Sequence, residues 1–215
     1  MCCRAVLYTD ISYLLPVFDC DQGDLVFSPD YNIAPSQSVV TVRNEGKQRK
    51  CGLAYWGFTA NYAKDDKLQS ANARAETLAT SNWFKHAFKQ QRCLIVFDGY
   101  YEWKGEKGNK KPYYIVREDG KPMMMAGLWD YWGENRERLT CAVVTTTPNE
   151  QLKPIHHRMP AILEQGSASR WLDPETSNKV CQEQLVPSSQ HFVLHPVSRM
   201  VNNPANQGSR LIAPM

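Results

Sequence analysis

Residues 93–146 read CLIVFDGYYEWKGEKGNKKPYYIVREDGKPMMMAGLWDYWGENRERLTCAVVTT, and this stretch decides the fold class. It contains four short runs rich in β-branched and aromatic residues, Cys93 to Phe97, Pro112 to Arg117, Met123 to Trp129 and Leu139 to Thr146. Such runs pack well on a pleated surface and read as strands. Between them lie Lys104 to Lys111, Glu118 to Lys121 and Tyr131 to Arg138, rich in Gly, Asn and charge, which read as hairpin loops. An antiparallel meander is expected. Working outward, Val39 to Arg43, Pro160 to Leu163 and His191 to Leu194 add further strands. Helical signals are fewer. Glu76 to Gln91 places Leu78, Phe84, Ala87 and Phe88 near one face, and Ser167 and Thr176 are each placed to cap a short helix. The expected fold is α+β: one domain, residues 1–215, with a curved, mostly antiparallel, barrel-like sheet flanked by a few helices. Only Pro204 to Met215 looks loop-like.

Bulk properties bound the function classes. A chain of 215 residues, 42% hydrophobic and 11% aromatic, is large enough for one sizeable core. The apolar runs fall far short of the roughly 18 to 20 residues that span a bilayer, and the first residues lack a signal-peptide apolar region. The reading is a cytoplasmic, monomeric protein with no membrane partner. Seven cysteines form an odd set with no C-x-x-C, so neither a disulfide framework nor a thiolate metal site is signalled, and most are expected to be small core residues. The five histidines show no metal-ligand spacing, so no metal and no cofactor is expected. A formal charge of +3 is compatible with a polyanion partner without requiring one.

Cys2 directly follows the initiator Met1. Trimming of that Met leaves a free α-amine beside a thiol on the adjacent carbon, with ordinary pKa values of about 8 and 8.5, so a useful fraction of each is nucleophilic near neutral pH. A 1,2-aminothiol reacts readily with aldehydes: the amine condenses to an imine and the tethered thiol closes onto the same carbon as a five-membered thiazolidine. The reaction needs a proton carrier, polar groups that orient a sugar and cations that hold phosphates.

Those partners appear in a series of motifs: Cys2-Cys3-Arg4, Tyr31-Asn32-Ile33-Ala34-Pro35, Trp56-Gly57, Asn72-Ala73-Arg74-Ala75-Glu76-Thr77, Arg92 to Ile95, Asp98-Gly99-Tyr100-Tyr101-Glu102-Trp103, Ala126 to Trp129, Ile155-His156-His157-Arg158-Met159-Pro160, and Pro196-Val197-Ser198 with Val201 to Pro204. In order and spacing they resemble the SRAP family, the SOS-response-associated peptidase family of abasic-site-processing proteins, from residue 2 to the C-terminus. The resemblance implies a DNA-damage enzyme that bonds covalently to abasic sites in single-stranded DNA. Cys2 would be the nucleophile, with Asn72 orienting the reacting group, Glu102 moving protons at the imine and His156 assisting ring opening. Arg4, Asn32, Pro35, Tyr62, Arg74 and Arg158 would contact the DNA. Glu102 lies between Tyr101 and Trp103, in an aromatic setting suited to a general acid or base.

Three positions depart from the family pattern. Cys3 stands where glycine is usual; the segment Trp56 to Tyr62 lacks the family's proline and ends in tyrosine for tryptophan; and His157 replaces a common aspartate. Two other readings fit the residues. An N-terminal cysteine with its own amine as base is also the nucleophile of peptidases, including ones that process themselves, and arginines interleaved with aromatics also suit a non-catalytic single-strand binder.

Overall fold

The computed structural model describes residues 3–20, 25–46, 48–106 and 108–215. Among them, the chain forms β1 (Ala5–Leu7), α1 (Ile11–Phe18), β2 (Asp30–Ile33), β3 (Ser38–Glu45), β4 (Gln48–Trp56), β5 (Asn72–Arg74), α2 (Lys85–Gln90), β6 (Arg92–Phe97) and β7 (Gly99–Lys104). There follow β8 (Lys111–Arg117), β9 (Met123–Trp132), β10 (Arg138–Thr146), β11 (Met159–Pro160), β12 (Ile162–Leu163), α3 (Gln165–Leu172), α4 (Asn178–Glu183) and β13 (Phe192–Pro196).

The apolar run of β6 is buried along its whole length because it lies inside a closed ring of five strands, β10–β4–β3–β6–β9 and back to β10. Neighbours pair antiparallel, with Thr41 opposite Ile95 and Cys93 opposite Gly127, except where β4 meets β10. There the strands run parallel, Thr140 beside Tyr55, and close the ring so that no edge is left to pair with another chain. So narrow a barrel needs a small residue on its wall. A Cβ at Gly127 would lie 2.9 Å from Cys93 Sγ and from Ile95 Cγ1. At the start of β6 the buried Arg92 guanidinium donates to the carbonyls of Phe88, Trp171 and Asp173, fastening α2 and α3 to the barrel.

A second, antiparallel sheet has the order β13–β8–β7–β1–β2. The chain enters it through one residue, since β6 ends at Phe97 and β7 begins at Gly99. Asp98 between them is 1% exposed and accepts bonds from the backbone N–H groups of Tyr8 and Thr9 and from the Thr9 hydroxyl, while its own N–H donates to Val6 O at 2.8 Å. β1 is thereby fixed beside β7.

The α+β class is as expected, but the strand connections differ from a meander. Lys104 to Lys111 does join a hairpin, β7–β8, and Tyr131 to Arg138 joins β9–β10, whose strands run into it and leave a shorter turn. Glu118 to Lys121, in contrast, carries the chain from one sheet to the other, because β8 and β9 belong to different sheets. Strands β1, β2, β4, β5 and β7 are additional. β4 opens on Gln48, Arg49 and Lys50, polar residues that read as loop yet pair with β3 along eight positions. The helix expected over Glu76 to Gln91 is α-helical only over Lys85–Gln90; Ala75–Thr77 is a 3-10 turn, and Ser81 O accepts from Phe84 and Lys85 N–H to start the helix afresh. α3 follows Glu164, three residues before the expected Ser167 cap, and α4 is capped by Ser177 in place of Thr176. α1, capped by Asp10, was not foreseen.

The cysteines need a correction. Cys93, Cys141 and Cys181 are buried free thiols, as expected, but Cys20 and Cys51 form a disulfide between the residue after α1 and β4. Packing brings their Cα atoms to 6.1 Å across a sequence separation of 31, which no local spacing announces. Closing a loop of that length stabilises by about 3 to 4 kcal/mol in the chain-entropy account. Cys51→Ala, or reduction of the native protein, should therefore lower the urea midpoint by a corresponding amount. An unchanged midpoint in the presence and absence of reductant would rule the bridge out.

Candidate active site

The register between β1 and β7 runs Ala5 to Tyr100 and Val6 to Gly99, and Tyr101 N–H donates to Arg4 O at 2.9 Å. Continued backwards, it sets Cys3 beside Glu102. From the barrel side, β5 lies parallel to β10, with Asn72 beside Val143 and Arg74 beside Thr145. Asn72 thus starts β5 at the junction of the two sheets, and its Nδ2 lies 3.3 Å from Cys3 Sγ. β11 pairs with the end of β10, Met159 opposite Thr146, and the turn leading into it carries His156. His156 Nδ1 is 3.9 Å from Glu102 Oε2, with side-chain exposures of only 13% and 7%.

Three of the four residues expected to be catalytic, Asn72, Glu102 and His156, therefore converge on Cys3. The fourth, Cys2, lies outside the described residues. Burial pushes the Cys3 thiol above its ordinary range, and the Glu102 charge adds to this. Burial also lowers the His156 pKa, against an opposing pull from Glu102. His156 Nδ1 lies 3.1 Å from the backbone N of Arg158 and 3.3 Å from its carbonyl oxygen, so the Arg158 backbone holds the ring in place. His157 is exposed and packs against His156 with the ring centroids 4.2 Å apart and the planes tilted by 31°. The site therefore holds a carboxylate and a neutral imidazole in contact range within a partly desolvated notch, the pairing that proton transfer in both directions requires.

The expected DNA-contacting residues divide. Arg4, half-buried beside Cys3, donates to Asn32 Oδ1 at 2.9 Å and to Val201 O, and lies over the Trp103 ring. Asn32 is fully buried and uses Nδ2 to hold the carbonyls of Asn203 and Asn206, each at 2.9 Å, so it pegs the C-terminal turn in place. Trp103 Nε1 reaches the same turn at Asn202 Oδ1. Pro35 is partly exposed at the turn into β3, and Arg74 is exposed at the end of β5. Tyr62 is 58% exposed, its hydroxyl donating to Asn82 O and its ring set edge-on to Trp83.

Arg158 is 8% exposed, forms a bidentate pair with Glu76 at 2.7 and 2.9 Å, and donates to Thr145 O. In this structure it ties the 3-10 turn after β5 to the end of β10. The Arg158 guanidinium also holds the Glu76 carboxyl below the usual carboxylate range. Glu76, Thr145 and Asp98 brace the site; Asp98 opens the Asp98 to Trp103 motif and Thr145 lies in the Leu139 to Thr146 run. Glu76 lies inside the Asn72 to Thr77 motif, but nothing local pairs it with Arg158.

The sequence pattern of the SOS response associated peptidase (SRAP) family matches residues 1–204 of the 215. The chain belongs to the SRAP family. Among its SRAP relatives, the abasic site processing protein YoaM of Bacillus subtilis is 35% identical over 99% of this chain and 97% of its own. YedK of Escherichia coli, also called an abasic site processing protein, is 34% identical over the full length of both. A solved structure from Bacteroides thetaiotaomicron superposes with a TM-score of 0.85 at 22% identity, covering 99% of this chain and 98% of that one, a likeness of fold.

The Glu76–Arg158 pair gives a direct test of how this SRAP site is braced. Glu76→Gln leaves a buried guanidinium without its carboxylate; since Glu76 is itself about half exposed, the expected loss is about 1 to 3 kcal/mol in urea unfolding. Arg158→Lys should lose a similar amount, because an ammonium cannot make the two parallel bonds.

Proposed function

We propose that this protein processes abasic sites in single-stranded DNA by forming a thiazolidine between Cys2 and the ring-opened sugar. The observation that carries the reading is the convergence of Asn72, Glu102 and His156 on the residue next to Cys2. The names of its full-length relatives support the substrate. In the reaction the α-amine, freed by loss of Met1, adds to the C1′ aldehyde to give a carbinolamine. That carbinolamine loses water, with Glu102 passing a proton to the departing hydroxyl and taking one from the nitrogen as the imine forms. The Cys2 thiol then adds to the imine carbon as its proton passes to the nitrogen. One water leaves and no oxidant is consumed. His156, with its pKa lowered by burial, takes the C1′ hydroxyl proton as the sugar ring opens and returns it to the ring oxygen. A single strand presents the sugar without the unstacking that a duplex requires, a few kcal/mol.

Intact mass after incubation with an abasic oligonucleotide should show protein lacking Met1 plus DNA, formed faster on a single strand than on a duplex and less well as salt rises. Cys2→Ser should still give a borohydride-trappable imine but no heat-stable adduct, and Glu102→Gln should slow capture by about 10²- to 10⁴-fold. A heat-stable adduct from Cys2→Ser at the wild-type yield would defeat the mechanism.

The His156 pKa lies below the ordinary imidazole value of about 6.5, so the basic form persists to lower pH than usual. The ratio of wild-type to His156→Gln capture rates, in which the titration of the amine cancels, should consequently hold level from neutral pH down through 6.5 and fall only below it; a fall centred above 6.5 would contradict the assignment.

A further inference from the structure

An asparagine that orients a reacting group must present one end of its amide and hold the other, because the oxygen accepts and the nitrogen donates. Asn72 Nδ2 lies 3.3 Å from Cys3 Sγ, and Asn72 Oδ1, at the opposite end of the same planar group, is buried with no hydrogen-bond partner among the described residues. A buried carbonyl left unpaired is costly, so the acceptor is held ready for a donor that arrives with a ligand. Among the described residues, the Cys3 sulfur is the hydrogen-bond partner of this side chain. The two residues are 69 apart in sequence and sit on different sheets, β5 on the barrel side and the lead-in to β1 on the other.

We infer that Cys3 is a positioning residue: its sulfur accepts the Asn72 amide N–H and so leaves the Asn72 carbonyl to accept from the nitrogen or hydroxyl of the carbinolamine formed on Cys2. The inference rests on the covalent reading above. It gives a purpose to a side chain where the family usually carries glycine. Cys3 is poorly suited to compete as the nucleophile, because its own nitrogen is acylated by Cys2 and cannot form an imine, and burial keeps its thiol protonated near neutral pH.

The test measures single-turnover crosslinking at saturating abasic oligonucleotide, and affinity for the same sequence with an unreactive abasic analogue. Cys3→Ala and Cys3→Gly should slow crosslinking about 3- to 10-fold, the worth of one weak hydrogen bond, with affinity and melting temperature unchanged. Cys3→Ser, whose hydroxyl can also accept, should recover most of the rate. In an Asn72→Ala background, Cys3→Ala should have no further effect. Wild-type rates in Cys3→Ala, or the same slowing with Asn72 already removed, would overturn the positioning role. Complete loss of the adduct in Cys3→Ala would also overturn it, by making Cys3 the nucleophile. Cys2→Ala separates the two levels. A stable adduct from that variant defeats the covalent reading and this inference with it, whereas its absence alongside a wild-type Cys3→Ala defeats this inference alone.

Discussion

A single residue, Asp98, separates a strand buried in the barrel wall from a strand of the neighbouring sheet, and the site follows from that constraint. With no loop between β6 and β7, the second sheet is fixed in direction as soon as the barrel closes. The Asp98 carboxylate then takes three donors from Tyr8 and Thr9, which secures the N-terminal strand against β7 in one register. That register sets Cys3 beside Glu102. Glycine follows Asp98 for a steric reason, since a Cβ at Gly99 would lie 2.5 Å from the Tyr114 ring.

The barrel contributes the other half of the site. β10 pairs with β9 and β4 within the ring, and its far end extends to pair with β5 and β11. Through β5 it delivers Asn72, and through β11 the turn bearing His156. Glu76 and Arg158 clamp these two attachments to each other. The result is a rigid junction in which a carboxylate and an imidazole are desolvated together, so burial and mutual charge oppose each other at His156. Burial prevails there and lowers the pKa of the ring, favouring its neutral form. Proton chemistry at such a notch depends on the placement of these groups more than on any unusual residue type.

Much of this architecture was legible locally. The runs Cys93 to Phe97, Met123 to Trp129 and Leu139 to Thr146 read as strands from their β-branched and aromatic content, and all three are walls of the barrel. Strands such as β4 and β7 were not legible. β4 opens with charged residues on an exposed face, and β7 holds Gly99 and Glu102 at positions where only the partner strands favour extension. The expected long helix gave way for the opposite reason: its Thr80-Ser81-Asn82 segment hydrogen-bonds its own backbone, which favours turns over continued helix.

For the site, the amino-acid sequence by itself determined the chemical inventory: a cysteine at residue 2, and an asparagine, a glutamate and a histidine in motifs that resemble one family. Those identities depend only on residue type and order along the chain. Only the tertiary structure decided which groups meet, that Asn72 touches Cys3, that Asn32 pegs the C-terminal turn, that Arg158 is held by Glu76, and that Cys20 reaches Cys51. The physical reason is that each of these contacts spans a long stretch of chain and forms across the junction of two sheets or along their flanks. Hydrophobic periodicity reports which face of an element is buried; it carries no information about which distant element arrives to cover it.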